Sequence, residues 1–187
     1  MKNLLLASVA LLLFTACGNN VDVAVDNPTS TPIMVTIDTL TFEVPAEEVV
    51  WVEMGKGSHT VKLEGQDDVA FDFSQSAYML NPTMSEYLVV KEFYGDQASY
   101  ANYELASSIN KKTVNFMGME LEGDYSVVNQ LVNPVTWEIG PRESLPEVVE
   151  VEAGQSYTTV SKLMSGQEFW QQVMQAAQDM PSEEAAQ

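Results

Sequence analysis

Polar and apolar residues alternate with a period of two along most of the chain after residue 20. Val21, Val23 and Val25 are interleaved with Asp22, Ala24 and Asp26, Ile33, Val35 and Ile37 with Met34 and Thr36, and Val69, Phe71 and Phe73 with Ala70 and Asp72. Successive side chains of a strand point to opposite faces, so this spacing predicts half-buried strands. Asn27-Pro28, Gly55-Lys56-Gly57 and Gly65-Gln66-Asp67-Asp68 separate the runs as turns. Glu86 to Tyr94 reads as one more strand, completing a first β unit over residues 21–95. Residues 96–112, DQASYANYELASSINKK, are polar and lack clear periodicity, which predicts a loop and domain junction. A hairpin in NFMGMELEGDYSVV then leads into a second β unit over residues 113–163.

The two units share a pattern. Slid by 102 residues, VDNPTSTPIMVTI lies on VVNQLVNPVTWEI, so that Val25, Asn27, Pro32 and Ile37 meet Val127, Asn129, Pro134 and Ile139. Further on, VWVEMGKGSHTV matches VEVEAGQSYTTV: Val50, Val52, Glu53, Gly55, Thr60 and Val61 recur as Val149, Val151, Glu152, Gly154, Thr159 and Val160. A proline opening each unit lacks a ladder donor and suits a strand start or sheet edge. Gly55 and Gly154 would supply hairpin turns. A unit of roughly 40 residues cannot bury a core alone, so the two are expected to pack together or to recruit flanking strands. The predicted fold is mainly β, with two similar β-sandwich-like units as an internal repeat. In architecture this resembles immunoglobulin-like bacterial surface modules, without the Cys and Trp marks of true immunoglobulin domains.

Residues 165–180 depart from the alternation. Ser165-Gly166-Gln167-Glu168 fits a capping box. Phe169, Trp170, Val173, Met174 and Ala177 then share one helical face, which is expected to dock on the sheets. Pro181 stops this C-terminal amphipathic helix, and residues 181–187 are expected to be a disordered tail.

The chain opens differently. After Met1-Lys2-Asn3, residues Leu4 to Ala16 carry no charge. As a helix this run would span about 20 Å, short of the roughly 30 Å hydrocarbon core of a bilayer, which favours a secretory signal over a permanent span. It ends in Phe14-Thr15-Ala16-Cys17, with Cys17 the single cysteine of the sequence. This tetrapeptide resembles the lipobox of bacterial lipoproteins, although Phe14 stands where Leu is commoner. The resemblance implies removal of residues 1–16 as a signal peptide, lipidation of Cys17 and a short spacer over 17–20. It also implies an address in the bacterial envelope, lipid-anchored, on the outer membrane if the source has two, because Gly18 is not the Asp that favours inner-membrane retention. Three residues past Cys17 reach only about 10 Å, so the folded part would lie close to the bilayer.

Charge narrows the partners. The sequence holds 8 Lys and Arg against 27 Asp and Glu, a formal charge of −19. Removing residues 1–16 takes away Lys2 and no acid. Such a surface repels phosphate backbones, so nucleic acid is not an expected partner. Anionic headgroups attract it no better, so membrane attachment would come from the lipid alone. With Cys17 lipidated, no disulfide is available.

Candidate chemistry is sparse. His59, the single histidine, shares the parity of Val61 and Leu63 and ends a core-facing row. No G-x-S-x-G elbow accompanies it, so a structural role is expected and no catalytic residue is assigned. One histidine and a lipidated cysteine leave no zinc site of ordinary composition, and no cofactor is expected. Asp67, Asp68 and Asp72 are the closest carboxylate cluster for calcium, though their spacing matches no standard loop. Trp137 aligns with Val35 and is expected in the core, whereas Trp51 lies opposite Val50 and Val52 and is a candidate for exposure. Trp51, with Tyr94, Tyr100 and Tyr103 around the central loop, forms the candidate ligand-binding set. The reading favoured is a non-enzymatic binding or assembly module with an envelope protein partner. The alternatives are an extracytoplasmic hydrolase using carboxylates alone, with two acids about 5–10 Å apart across a concave site, and a calcium-dependent adhesive module.

Overall fold

The computed structural model describes residues 20–179; residues 1–19 and 180–187, on which the expected signal peptide, lipidated Cys17 and C-terminal tail fall, lie outside them. Among the described residues strands dominate, with two helices. The alternating valines form β1 (Asn20–Asn27). It pairs antiparallel with β4 (Glu48–Gly55), Val23 opposite Val52, and parallel with β7 (Ala77–Leu80), Ala24 opposite Met79. With β12 (Val132–Pro134) beyond β7, the sheet order is β12-β7-β1-β4. A second sheet of antiparallel strands joins β2 (Ile33–Ile37), β3 (Leu40–Val44), β5 (Gly57–Leu63) and β6 (Val69–Phe73) in the order β3-β2-β5-β6. A third has the order β11-β8-β13, from β8 (Tyr87–Gly95), β11 (Ser126–Val128) and β13 (Tyr157–Ser165). The hairpin in NFMGMELEG is β9 (Lys112–Phe116) with β10 (Met119–Gly123).

Two cores explain this layering. Val21, Val23 and Val25 of β1, with Tyr78 and Leu80 of β7, meet Val35, Ile37, Val44, Val61 and Phe73 of the second sheet. Burying each such side chain contributes about 1.5–3 kcal/mol. On the reverse face, Ala24 and Met79 meet Tyr87, Leu163 and Trp137. The β1 sheet is therefore a middle layer, and its opposite parities serve different cores.

Three Asn-Pro steps end neighbouring strands of that sheet: Asn27-Pro28 after β1, Asn81-Pro82 after β7 and Asn133-Pro134 in β12. Proline gives the ladder no donor. Each asparagine is buried and its amide satisfies turn carbonyls: Asn27 Nδ2 donates to Thr31 O at 2.8 Å and Pro45 O at 2.9 Å, Asn81 Nδ2 to Ser85 O at 2.7 Å, and Asn133 Nδ2 to Gln130 O at 2.6 Å. A buried amide without such partners would cost stability.

Several expectations are corrected. Residues 96–112 are not a loop but chiefly a helix, α1 (Gln97–Ile109), capped by Asp96, whose side chain accepts from Ser99 N at 2.8 Å. Its apolar spacing is weak because it docks mainly through Tyr100 and Tyr103, while Leu105 and Ile109 stay exposed. β8 does not complete the first unit: it bonds to β11 and β13, from the second half of the chain. The stretches aligned as repeats also fold differently. Residues 135–139 and 149–154, matched to β2 and β4, form no strand; strand meets strand only where the end of β1 falls on β11 and where β5 falls on β13. The terminal helix, α2 (Gly166–Asp179), does have its capping box: Glu168 Oε2 accepts from Ser165 N and Oγ, both at 2.9 Å. Its apolar face does not dock as expected. Phe169 packs on Phe116, but Trp170, Val173 and Met174 are exposed, because only the first turn lies over the body.

Candidate functional site

The reverse face of the middle layer is incompletely covered. Ala24 and Met79 are roofed by the third sheet, but β4, at the edge, presents Val49 and Trp51 beyond it. The segment 135–143 folds over this margin and leaves a cleft of about 130 Å³. Trp51, 58% exposed, stands at its mouth, and Trp137 is buried in its wall. Met79, Val49 and Pro141 add apolar surface, and Asp26, Glu138 and Glu143 are its acids.

The wall is held by side chains more than by ladder bonds. Ile139 N donates to Ser161 O at 3.0 Å, and Leu163 N to Ile139 O at 2.9 Å. Beyond this, the turn at 140–143 is fixed by Lys162, whose Nζ donates to Gly140 O at 3.2 Å and Glu143 O at 2.7 Å. The same ammonium pairs with Glu168 Oε1 at 3.0 Å, and Arg142 N donates to that oxygen at 2.7 Å. The Arg142 guanidinium pairs with Asp26, which is fully buried and also accepts from the Tyr87 hydroxyl. Two acids and two bases thus form an internally neutral network joining β1, β8, β13, α2 and the cleft wall.

The local environments match this picture. Burial works to raise the Glu168 carboxyl, but the Ser165 N–H, Lys162 and the Arg142 N–H outweigh it and hold it below its ordinary value. Burial pushes the Tyr87 hydroxyl up, helped by the Glu168 charge, so Tyr87 stays a neutral donor. Burial lowers Arg142, with the Glu168 charge opposing. A buried charge pair contributes little net stability over an apolar replacement but makes loss of one partner costly.

The other candidates are dispersed. Tyr100 and Tyr103 pack with Phe93 at 5.2 Å each and join Tyr157 in an aromatic cluster that seats α1 on β8 and β13. Tyr94 stands apart from it, its hydroxyl donating to Pro146 O at 2.8 Å. Asp68 pairs with Lys62 at 2.8 Å, Asp72 lies opposite Ser58 on β5, and Asp67 is exposed in the turn between β5 and β6. Among the described residues no group of three His, Cys, Asp or Glu is placed to hold a metal ion. His59 packs on Phe73 at 4.9 Å, with Nδ1 2.8 Å from Asp38 Oδ2 and Nε2 2.9 Å from Gly55 O. Lipidation of Cys17 falls outside the described residues.

Sequence reasoning anticipated the exposure of Trp51 but missed the acids beside it, since Glu138 and Glu143 reach the cleft from over 80 residues away. A carboxylate hydrolase needs two acids free to exchange protons. Here Asp26 is held by Arg142 and Tyr87, whereas Glu138 and Glu143 each engage only Oε2, with Ser161 and with Gly140 N at 2.8 Å. Comparison with protein-family models, curated proteins and solved structures finds no match in any of the three.

Proposed function

We propose that this protein is a lipid-anchored, non-enzymatic binding or assembly module of a bacterial envelope, and that the Trp51 cleft is where its protein partner engages. The observation that carries the binding role is the exposed indole of Trp51 at the mouth of a cavity walled by fixed side chains. A large, stiff aromatic surface of this kind gains much by leaving water on contact. Support for the anchor comes from the uncharged run Leu4–Ala16 ending at Cys17. No helix among the described residues is long and apolar enough to cross a membrane. The sharing of Val50-x-Val52-Glu53-x-Gly55 with Val149-x-Val151-Glu152-x-Gly154 supports an ancestral duplication with a rebuilt second copy. Facing of the β1 and β2 valines across one core supports a sandwich-like first unit.

The test is site-specific photocrosslinking in intact cells, from position 51 and, as a control, from exposed Val148. A discrete adduct is expected from position 51 alone, in a membrane-bound protein. Cys17→Ser is expected to release the protein to the aqueous fraction. No adduct at 51 in the membrane-bound protein would overturn the binding role, and an unlipidated wild type would overturn the anchor.

A further inference from the structure

We infer that the Trp51 cleft receives a basic side chain, an alkylammonium or guanidinium, presented by the protein partner. The inference rests on the binding role proposed above and specifies its chemistry. Three independent features converge. The lining contains Trp51, Trp137, Val49, Met79 and Pro141 and no Lys, Arg or His. Indole is the strongest of the natural rings in attracting a cation to its face.

Charge points the same way. Asp26 and Glu168 are neutralised by Arg142 and Lys162, so the internal network presents no net charge to the cleft. Glu138 and Glu143 remain, and neither pairs with Lys or Arg among the described residues. Each spends one carboxylate oxygen, Oε2, on bonds to Ser161 or to Gly140 N. No hydrogen bond is made by either Oε1 among the described residues, which leaves an acceptor at the rim for an incoming N–H. The chain as a whole, at −19, would draw a basic partner from a distance.

Size agrees as well. A dry cavity of about this volume accepts a benzene ring, so the 130 Å³ here suits the last methylenes and head of a Lys or Arg side chain and excludes a larger rigid group. The apolar wall would take the methylenes while the rim acids take the charge.

The test uses Nα-acetyl-lysine methylamide and Nα-acetyl-arginine methylamide, each against its uncharged isostere, the norleucine and citrulline amides. Indole N–H resonances of the folded protein in solution are the readout. The charged probes should shift Trp51 and Trp137 while Trp170, on α2, stays still. Each isostere should bind about five- to tenfold more weakly. Glu138→Gln with Glu143→Gln should reduce that discrimination, leaving the part due to the Trp51 indole, while preserving the fold, since glutamine still accepts from Gly140 N. Isosteres binding as well as the charged amides, or no shift at Trp51 and Trp137, would overturn the inference. So would choline binding more tightly than either charged amide, which would point to a quaternary ammonium ligand rather than a basic side chain. The proposed binding role fails separately, on the absence of an adduct from position 51.

Discussion

Arg142→Met is the most informative single change, because it isolates what the buried network does. Asp26 is fully buried and its carboxylate has two partners, the Arg142 guanidinium and the Tyr87 hydroxyl. Removing the guanidinium strands a charge in the interior, which costs about 3–5 kcal/mol. The reverse deletion, Asp26→Asn, strands less. The Arg142 side chain is 26% exposed and can turn toward water. The substituted amide keeps an oxygen for the tyrosine bond, so about 1–2 kcal/mol is expected. In the double variant no charge is stranded, and the cost should stay near that of Asp26→Asn alone, giving a coupling of about 3–5 kcal/mol. Arg142 sits at φ 62°, a strained backbone for any residue with a side chain, and Met inherits the same strain, so it cancels. Urea unfolding followed by circular dichroism is the assay. With a slope of about 2 kcal/mol per molar, the single variant should lose roughly 1.5–2.5 M in midpoint and the double should regain most of it. Additive losses would refute a buried pair at this position.

Three further outcomes are expected. Burial alone would lower the His59 pKa, but bonds to Asp38 and Gly55 O and the charges of Asp38 and Asp72 raise it above 6.5. The bond from His59, then the Thr60 N–H, holds Asp38 below 3.8. The histidine's contribution is therefore fully present below 6.5 and lost as pH climbs through the raised value, while that of Asp38 is lost only on acidification through its lowered one. An NMR titration of His59 should move down in Asp38→Asn, and an unchanged curve would contradict the pairing. Ser165→Ala should cost about 1 kcal/mol and fray the start of α2, seen as faster amide exchange from Gln167 to Trp170. Trp137→Ala should cost about 3–5 kcal/mol as a core deletion, whereas Trp51→Ala should leave the melting temperature almost unchanged, since its ring is largely in water. Equal losses from the two tryptophans would mean that Trp51 is a core residue.

What the sequence reveals follows the range of the interaction. Strand alternation in β2 and β6, the Ser165–Glu168 cap and the outward parity of Trp51 are local, and each is legible; β1 is a strand as its alternation predicts but not a half-buried one, since Ala24 and Asp26 are covered by the third layer. Parity also separates Trp137 from Trp51 correctly, although the repeat behind the Trp137 reading is not matched by strands there. α1 is hidden because its stability comes from two tyrosines meeting Phe93 and Tyr157, and a helix held by two aromatic anchors leaves little apolar stripe to see. The exposed face of α2 misleads in the opposite sense. A stripe states that a helix could be covered, and only the body's extent decides whether it is. Pairing of Asp26 with Arg142 is unreadable in one dimension, since it depends on how a third layer is laid across the first.

That layering also accounts for where the cleft lies. A four-stranded middle sheet meets a third sheet of three strands, so one margin of the middle sheet must be closed by something else or left open. Here it is closed halfway, by an irregular segment whose own backbone finds few ladder partners. The side chains of Lys162 and Glu168 supply the missing bonds and so fix the wall at Gly140–Glu143, while the Arg142 guanidinium pairs with Asp26. Neutralising each other inside, they leave the rim carboxylates uncompensated outside. The same residues that repair an unmatched sheet edge therefore define the cleft's shape and the sign of its charge. A change meant to alter the site's preference without disturbing the fold must be made at Trp51, Glu138 or Glu143, and not within the buried network.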